Sequence, residues 1–114
     1  MENCLFCKII VGDIPSQKIY EDEYAYAFKD ISPQAPVHAL VIPKVHVTSL
    51  AEVQALTVEQ KAGLLDACSR VANLLGVTEA GYRVVTNCGE HGCQSVHHLH
   101  FHVLGGEPLS PTMV

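Results

Sequence analysis

At 114 residues the chain is long enough for one real core and too short for two, so it is read as a single domain spanning residues 1–114. A hydrophobic share of 48% excludes a disordered chain, and a formal net charge of −5 argues against a broad basic surface for nucleic acid. A small phosphate-bearing ligand stays open, because backbone N–H groups and imidazoles hold an anion locally. The five cysteines, Cys4, Cys7, Cys68, Cys88 and Cys93, are odd in number and lack the spacing of a small secreted scaffold. No basic-then-apolar leader is expected, since Lys8 closely follows Met1-Glu2-Asn3, and no run approaches the roughly 18–20 apolar residues that cross a bilayer. A cytoplasmic protein with neither a membrane nor a nucleic-acid partner is expected.

Cys4–Val11 reads as a short helix or a turn, stopped by Gly12 and by Asp13-Ile14-Pro15-Ser16. Lys18–Glu21 and Tyr24–Phe28 read as strands around the polar turn Asp22-Glu23. Two prolines make Ile31–Pro36 a loop, and Val37–Ile42 is an apolar strand ended by Pro43. A long helix is predicted from Thr57 to about Leu75, with Thr57 and Gln60 at capping-box spacing and Gly76 at the C′ position. Its buried face is predicted to carry Val58, Ala62, Leu65, Ala72 and Leu75. Gly81–Asn87 is the next strand, and a Gly-rich turn from Gly89 to Gly92 leads into the last one. Short helix, three strands, long helix and two strands suit an α+β fold with a five-stranded antiparallel sheet.

The last strand carries the chemistry. In His98-Leu99-His100-Phe101-His102, side-chain alternation places the three histidines on one face, roughly 6–7 Å apart, with Leu99, Phe101 and Val103 on the other. Such a row can bind a catalytic metal, act as acid and base, or supply a nucleophile. The plain alternative is a set of hydrogen-bonded core histidines. The preceding loop, His91-Gly92-Cys93-Gln94-Ser95-Val96, is small and turn-prone and able to point N–H groups at an anion, which favours phosphorus chemistry.

His98-x-His100-x-His102 with Val103-Leu104 resembles the motif of the histidine triad (HIT) superfamily. Phe28–Pro36, His38–His46, Gln94-Ser95-Val96 and Leu104-Gly105-Gly106 resemble its Hint branch. The resemblance implies a nucleoside phosphoramidase that cleaves the P–N bond of purine nucleoside 5′-phosphoramidates through a nucleotidyl-histidine. It implies His100 as nucleophile, His102 on a phosphate oxygen, His38 and His98 as hydrogen-bonding support, and Ser95 as the group protonating the amine. The backbone at Cys93 and Gln94 resembles the phosphate cradle, Asp30 the ribose-binding carboxylate, and Asn87 a polar contact. Leu5, Phe6, Ile9, Phe28 and Ile31 resemble the walls around the base. The plain alternative for Asp30 is a loop residue capping a turn before Pro33. A homodimer, with two sheets joined into one, is likewise implied by the family.

Cys4-x-x-Cys7 has metal-ligand spacing, though alone it is a weak signal. Several bacterial relatives bind zinc through such a pair with the His after Pro-Lys-x and the first triad histidine, here His46 and His98. The resemblance therefore implies a closed, structural zinc site on Cys4, Cys7, His46 and His98, with none needed for catalysis. Zinc on His98 would compete with a His98–His38 hydrogen bond, and the alternative is a pair of buried thiols with His46 exposed. Cys93 stands where relatives often have Gly. His97 is expected to face away from the triad, and the tail Glu107–Val114 is short and lacks tryptophan. Rival readings are a catalytic metal held by His98, His100 and His102, a dinucleoside polyphosphate hydrolase, and a nucleotide-sensing scaffold with incidental hydrolysis.

Overall fold

The computed structural model describes residues 3–112, so Met1, Glu2, Met113 and Val114, which include the end of the predicted tail, lie outside the described residues. The strands are β1 (Lys18–Glu21), β2 (Ala25–Lys29), β3 (Val37–Pro43), β4 (Arg83–Val85) and β5 (Phe101–Gly105). They form one antiparallel sheet in the order β1-β2-β3-β5-β4, flanked by the helices α1 (Leu5–Ile10) and α2 (Val58–Leu74). The predicted α+β architecture is therefore observed.

Strand alternation divides the core in two. Ala25, Ala27, Ala39, Val41 and Val103 face α2, whose Leu64, Ala67, Cys68, Val71 and Ala72 pack onto them. Small side chains on the sheet let the helix come close. Tyr26, Phe28, Leu40 and Ile42 face the other way and are covered by Phe6 and Ile9 of α1. The functional side chains stand on this second face.

Helix α2 starts at the predicted capping box, with the Thr57 hydroxyl accepting from Gln60 N–H and the Gln60 side chain accepting from Thr57 N–H. It ends before Gly76, whose φ of +74° is the left-handed C′ conformation. Its buried stripe differs from the predicted one: Val58, Ala62 and Leu65 are exposed. Gly63 sets this rotation by lying flat against the Tyr24 side chain, which turns Leu64, Ala67, Cys68 and Val71 inward. A 3-10 helix over Leu50–Ala55 fills the predicted gap between β3 and α2.

Two strands are shorter than predicted. In β4 the ladder covers only Arg83–Val85: Gly81 has φ +108° before it, and its partner strand β5 begins only at Phe101. In β5 the ladder begins at Phe101, so His98 and His100 precede it and only His102 is a strand residue. The backbone is diverted there: Leu99 N–H bonds the Val47 carbonyl at 2.8 Å, and the His98 ring takes the Pro43 carbonyl at 2.9 Å. Alternation nevertheless survives, with Leu99 and Val103 buried on the α2 side.

Candidate active site and metal cluster

His38, Leu40 and Ile42 share one face of β3. The register of β3 against β5 sets His38 opposite Leu104 and Leu40 opposite His102. His38 and His102 are thus diagonal neighbours, with Nε2 of the first 2.9 Å from Nδ1 of the second. The protons in this pair are fixed by a backbone group. Gln34 N–H donates to His38 Nδ1 at 3.0 Å, so the His38 proton sits on Nε2 and is donated to His102 Nδ1. His102 is then left with a proton on Nε2, available as a donor. Asp30 Oδ2 lies 3.3 Å from His38 Nε2, and Asp30 Oδ1 accepts from Ser32 N–H at 2.8 Å. The turn-capping role anticipated for Asp30 is therefore real, and each oxygen keeps a further lone pair.

His100 is held the opposite way. Its Nδ1 donates to the His98 carbonyl at 2.7 Å, which leaves the Nε2 lone pair free. That carbon skeleton is braced by Thr86, whose hydroxyl donates to the His100 carbonyl at 2.7 Å. The Phe6 ring stands edge-on to the His100 ring at 5.1 Å, and the rings of His100 and His102 are 5.1 Å apart. Burial, aided by His100 and His38, pulls the His102 pKa down to about 4, and burial also lowers that of His38. The structure thus pairs a lone-pair nitrogen on His100 with a neutral N–H donor on His102.

Both histidines open into a cavity of about 350 Å³. The predicted wall residues Leu5, Phe6, Ile9, Phe28 and Ile31 all line it, as do Asp30 and Ser95. Ile14, Pro15, Ser16, Lys29, Leu40 and Val96 line it too and were missed. Leu40 was findable, because it stands two residues from His38 on the same strand. Asn87 is placed elsewhere: its Nδ2 donates to the Gly92 carbonyl, and it faces a separate cleft beyond His102. Cys93 and Gln94 do not line the cavity. Their N–H groups bond the Glu90 and Gly89 carbonyls, while the Gln94 amide holds the Thr48 and Val96 carbonyls. Cys93 has φ +62°, which explains why a Gly would suit the position. His97 is exposed.

The second constellation lies behind the first. Cys4 Sγ and Cys7 Sγ are 3.3 and 3.5 Å from His98 Nδ1, Cys7 Sγ is 3.4 Å from His46 Nδ1, and the two Nδ1 atoms are 3.1 Å apart. A tetrahedral zinc with ordinary Zn–S and Zn–N bonds needs S···N edges of about 3.5 Å and an N···N edge of about 3.3 Å. The donor set therefore fits that ion. His98 Nε2 donates to the Pro43 carbonyl, which leaves its Nδ1 lone pair aimed into the cluster. The expected His98–His38 bond is absent, since both His98 nitrogens are engaged elsewhere. Burial, and after it the Cys4 sulfur, push the Cys7 thiol up to about 11, so the cluster takes a cation only by releasing protons.

Asp30, His38 and His102 form another convergent trio. A metal on His38 Nε2 would need the ring proton on Nδ1, where Gln34 N–H already points its own, so the trio is a proton-ordered hydrogen-bond chain. The rival metal site on His98, His100 and His102 is not assembled, because His98 Nδ1 faces the cysteines while the Nδ1 atoms of His100 and His102 are bonded to the His98 carbonyl and to His38.

These features define the class of protein, and comparison with known proteins agrees. The HIT domain model matches residues 11–109, and the chain belongs to the HIT family. It is 40% identical to the purine nucleoside phosphoramidase of Escherichia coli K12 over 112 residues, covering 98% of this chain and 94% of that protein. It is 49% identical to a 14 kDa zinc-binding protein of Zea mays over 108 residues, covering 93% and 84%. The solved structure of a HIT family hydrolase from Clostridium thermocellum superposes with a TM-score of 0.94 at 46% identity, covering 100% of this chain and 99% of that one.

Proposed function

We propose that the protein hydrolyses the P–N bond of purine nucleoside 5′-phosphoramidates, releasing the nucleoside monophosphate and an amine. The observation that carries this reading is the opposed protonation of two adjacent imidazoles at one cavity: a lone pair on His100 Nε2 and a proton on His102 Nε2. The similarity to a purine nucleoside phosphoramidase supports it. The nucleoside enters between Leu5, Phe6, Ile9, Phe28 and Ile31, and Asp30 accepts from the ribose hydroxyls. His102 Nε2–H donates to a phosphate oxygen and stabilises the charge that grows there.

His100 Nε2 then attacks phosphorus. The P–N bond breaks, its electron pair leaves with the amine nitrogen, and the Ser95 hydroxyl hands that nitrogen a proton and regains one from solvent. Water next attacks the nucleotidyl-imidazole, giving the monophosphate and restoring the His100 lone pair. The His98 carbonyl keeps the His100 proton on Nδ1 throughout. His38 holds His102 as the donor tautomer.

Zinc on Cys4, Cys7, His46 and His98 would be structural, fixing α1 against the segment that carries His100. The zinc-binding relative supports that assignment. We read the chain as one domain that pairs edge to edge with a second copy, joining two sheets into one; β1 and β4 are the edges with no further strand beside them among the described residues. Among the described residues no helix is long and apolar enough to cross a membrane.

Incubating wild type and His100→Ala with adenosine 5′-phosphoramidate tests the reading. AMP release by the wild type and a covalently adenylated protein are expected, with neither from the variant. Equal release by both proteins sinks the nucleophile assignment, and no release by the wild type sinks the function.

A further inference from the structure

Six polar residues line the nucleoside cavity: Ser16, Lys29, Asp30, Ser95, His100 and His102. The last four have roles at the sugar and the phosphate. Lys29 follows Ala25 and Ala27 onto the opposite face of β2 and is exposed there. Ser16 is left as the polar side chain for the base. The Gln17 carbonyl accepts from Lys29 N–H at 3.0 Å, which carries the β1–β2 pairing back to Ser16. Ser16 and His102 therefore stand at opposite ends of the cavity, three strand spacings or roughly 14 Å apart across the sheet. A nucleotide with its phosphate on His102 and its ribose on Asp30 turns the far edge of its base toward Ser16.

The Ser16 hydroxyl is held in place. Its Oγ lies 2.8 Å from Tyr26 Oη, and that phenol makes no other hydrogen bond among the described residues. Tyr26 is 7% exposed, so its proton needs an acceptor, and Ser16 supplies it. Ser16 then keeps one hydrogen and one lone pair for the cavity. A purine offers a matching donor and acceptor side by side on its far edge. In adenine these are the 6-amino group and N1, and in a 6-oxopurine they are N1–H and O6. Rotation about the Cβ–Oγ bond swaps the two remaining positions of the hydroxyl, so it suits either base. Cytosine and uracil carry the same two pairs of groups, but one fused ring closer to the sugar.

Starting from the nucleoside placement of the phosphoramidase reading, we infer that Ser16, anchored by Tyr26, selects purine over pyrimidine nucleotides by the reach of the base. It treats amino- and oxopurines alike. Ser16 is thus a specificity-determining residue at the end of the cavity remote from the reacting phosphorus.

The test compares kcat/KM for the 5′-phosphoramidates of adenosine, inosine and cytidine within each protein, so that any loss of folded fraction cancels. Calorimetric Kd values for AMP, IMP and CMP give the same ratios without turnover. The apolar walls favour the larger base in every variant, so a change in ratio reports Ser16. Ser16→Ala should lower the adenosine-to-cytidine and inosine-to-cytidine ratios about tenfold, the worth of one hydrogen bond to the base. Tyr26→Phe should lower both by a smaller factor, because the hydroxyl loses its anchor. Ratios unchanged by Ser16→Ala overturn the inference and leave the phosphoramidase reading intact. A fall for one purine alone overturns the claim that the hydroxyl serves both. No turnover by the wild type, with the AMP-to-CMP affinity ratio still falling in Ser16→Ala, overturns the phosphoramidase reading and keeps the inference; an affinity ratio that also stays level overturns both.

Discussion

At the scale of single residues, three chemically identical side chains acquire three different protonation settings through what their Nδ1 atoms meet. His98 Nδ1 meets two sulfurs and His46, His100 Nδ1 meets a carbonyl, and His102 Nδ1 meets an N–H donor. The triad and its spacing were legible in the sequence. The tautomers were not, because each is dictated by a group distant along the chain or by a backbone turn. Replacing His102 with Asn removes the proposed donor to phosphate and should lower kcat by about 10²–10³-fold, the cost of losing one such donor, read in steady-state AMP release. Turnover within twofold of wild type would rule out that role. Cys93 gives a second prediction. It is the one non-glycine residue with positive φ among the described residues, and a side chain there costs about 1–2 kcal/mol. Cys93→Gly should therefore raise stability by roughly 1 kcal/mol in urea denaturation; an unchanged or lower midpoint would contradict the strain.

At the scale of elements, the decisive contacts join neighbours in space that are remote in sequence. Helix α2 was legible through its caps and its 3.6-residue period, but not its rotation. Two apolar stripes compete along it, and Gly63 against Tyr24 chooses between them. A Cβ on Gly63 would lie 2.5 Å from Tyr24 Cδ2. Gly63→Ala should thus destabilise the protein by up to about 2 kcal/mol, since overpacking costs about 1–3 kcal/mol against a helix-propensity gain of about 1. A stabilised variant would mean that Tyr24 yields freely. Helix α1 is only six residues long and is marginal by itself. It supplies Leu5, Phe6 and Ile9 to the cavity, and its first turn carries Cys7 just after Cys4. Chelating zinc from the loaded protein is expected to lower the melting temperature and weaken AMP binding severalfold in calorimetry, because the wall of the cavity loses its anchor. Chelation with neither effect would remove the clamp role.

At the scale of the whole molecule, the buried imidazoles couple folding to pH. His102 titrates near 6.5 when unfolded and at about 4 when folded, so the unfolded chain binds more protons between those values. Stability contributed by neutral His102 is complete above about pH 6.5 and is lost as pH falls toward 4. The melting temperature should therefore drop on acidification from pH 7 to pH 5 and stay nearly level from 7 to 8, with a shallower drop in His102→Asn. A variant slope as steep as wild type would place the effect on other groups. Assembly is tested separately: light scattering should give twice the 12.4 kDa protomer mass, and a single protomer mass would refute the pairing.

Taken by itself, the amino-acid sequence determined the order of helices and strands, the alternation that separates Leu99 and Val103 from the histidines, the capping of α2, the four side chains that converge as a cysteine–histidine cluster, and part of the cavity lining. All of these depend on chain-local geometry: a period of two or 3.6, a cap three residues wide, a Cys-x-x-Cys turn. Only the tertiary structure decided that β5 starts after His100, that His98 turns Nδ1 to the sulfurs and Nε2 to a carbonyl, and that Asn87 faces a cleft beyond His102. Those outcomes rest on long-range partners, the carbonyls of Pro43 and Val47 and the register of β4 on β5. A buried hydrogen-bonding group must find some partner, but which one it finds is settled by packing.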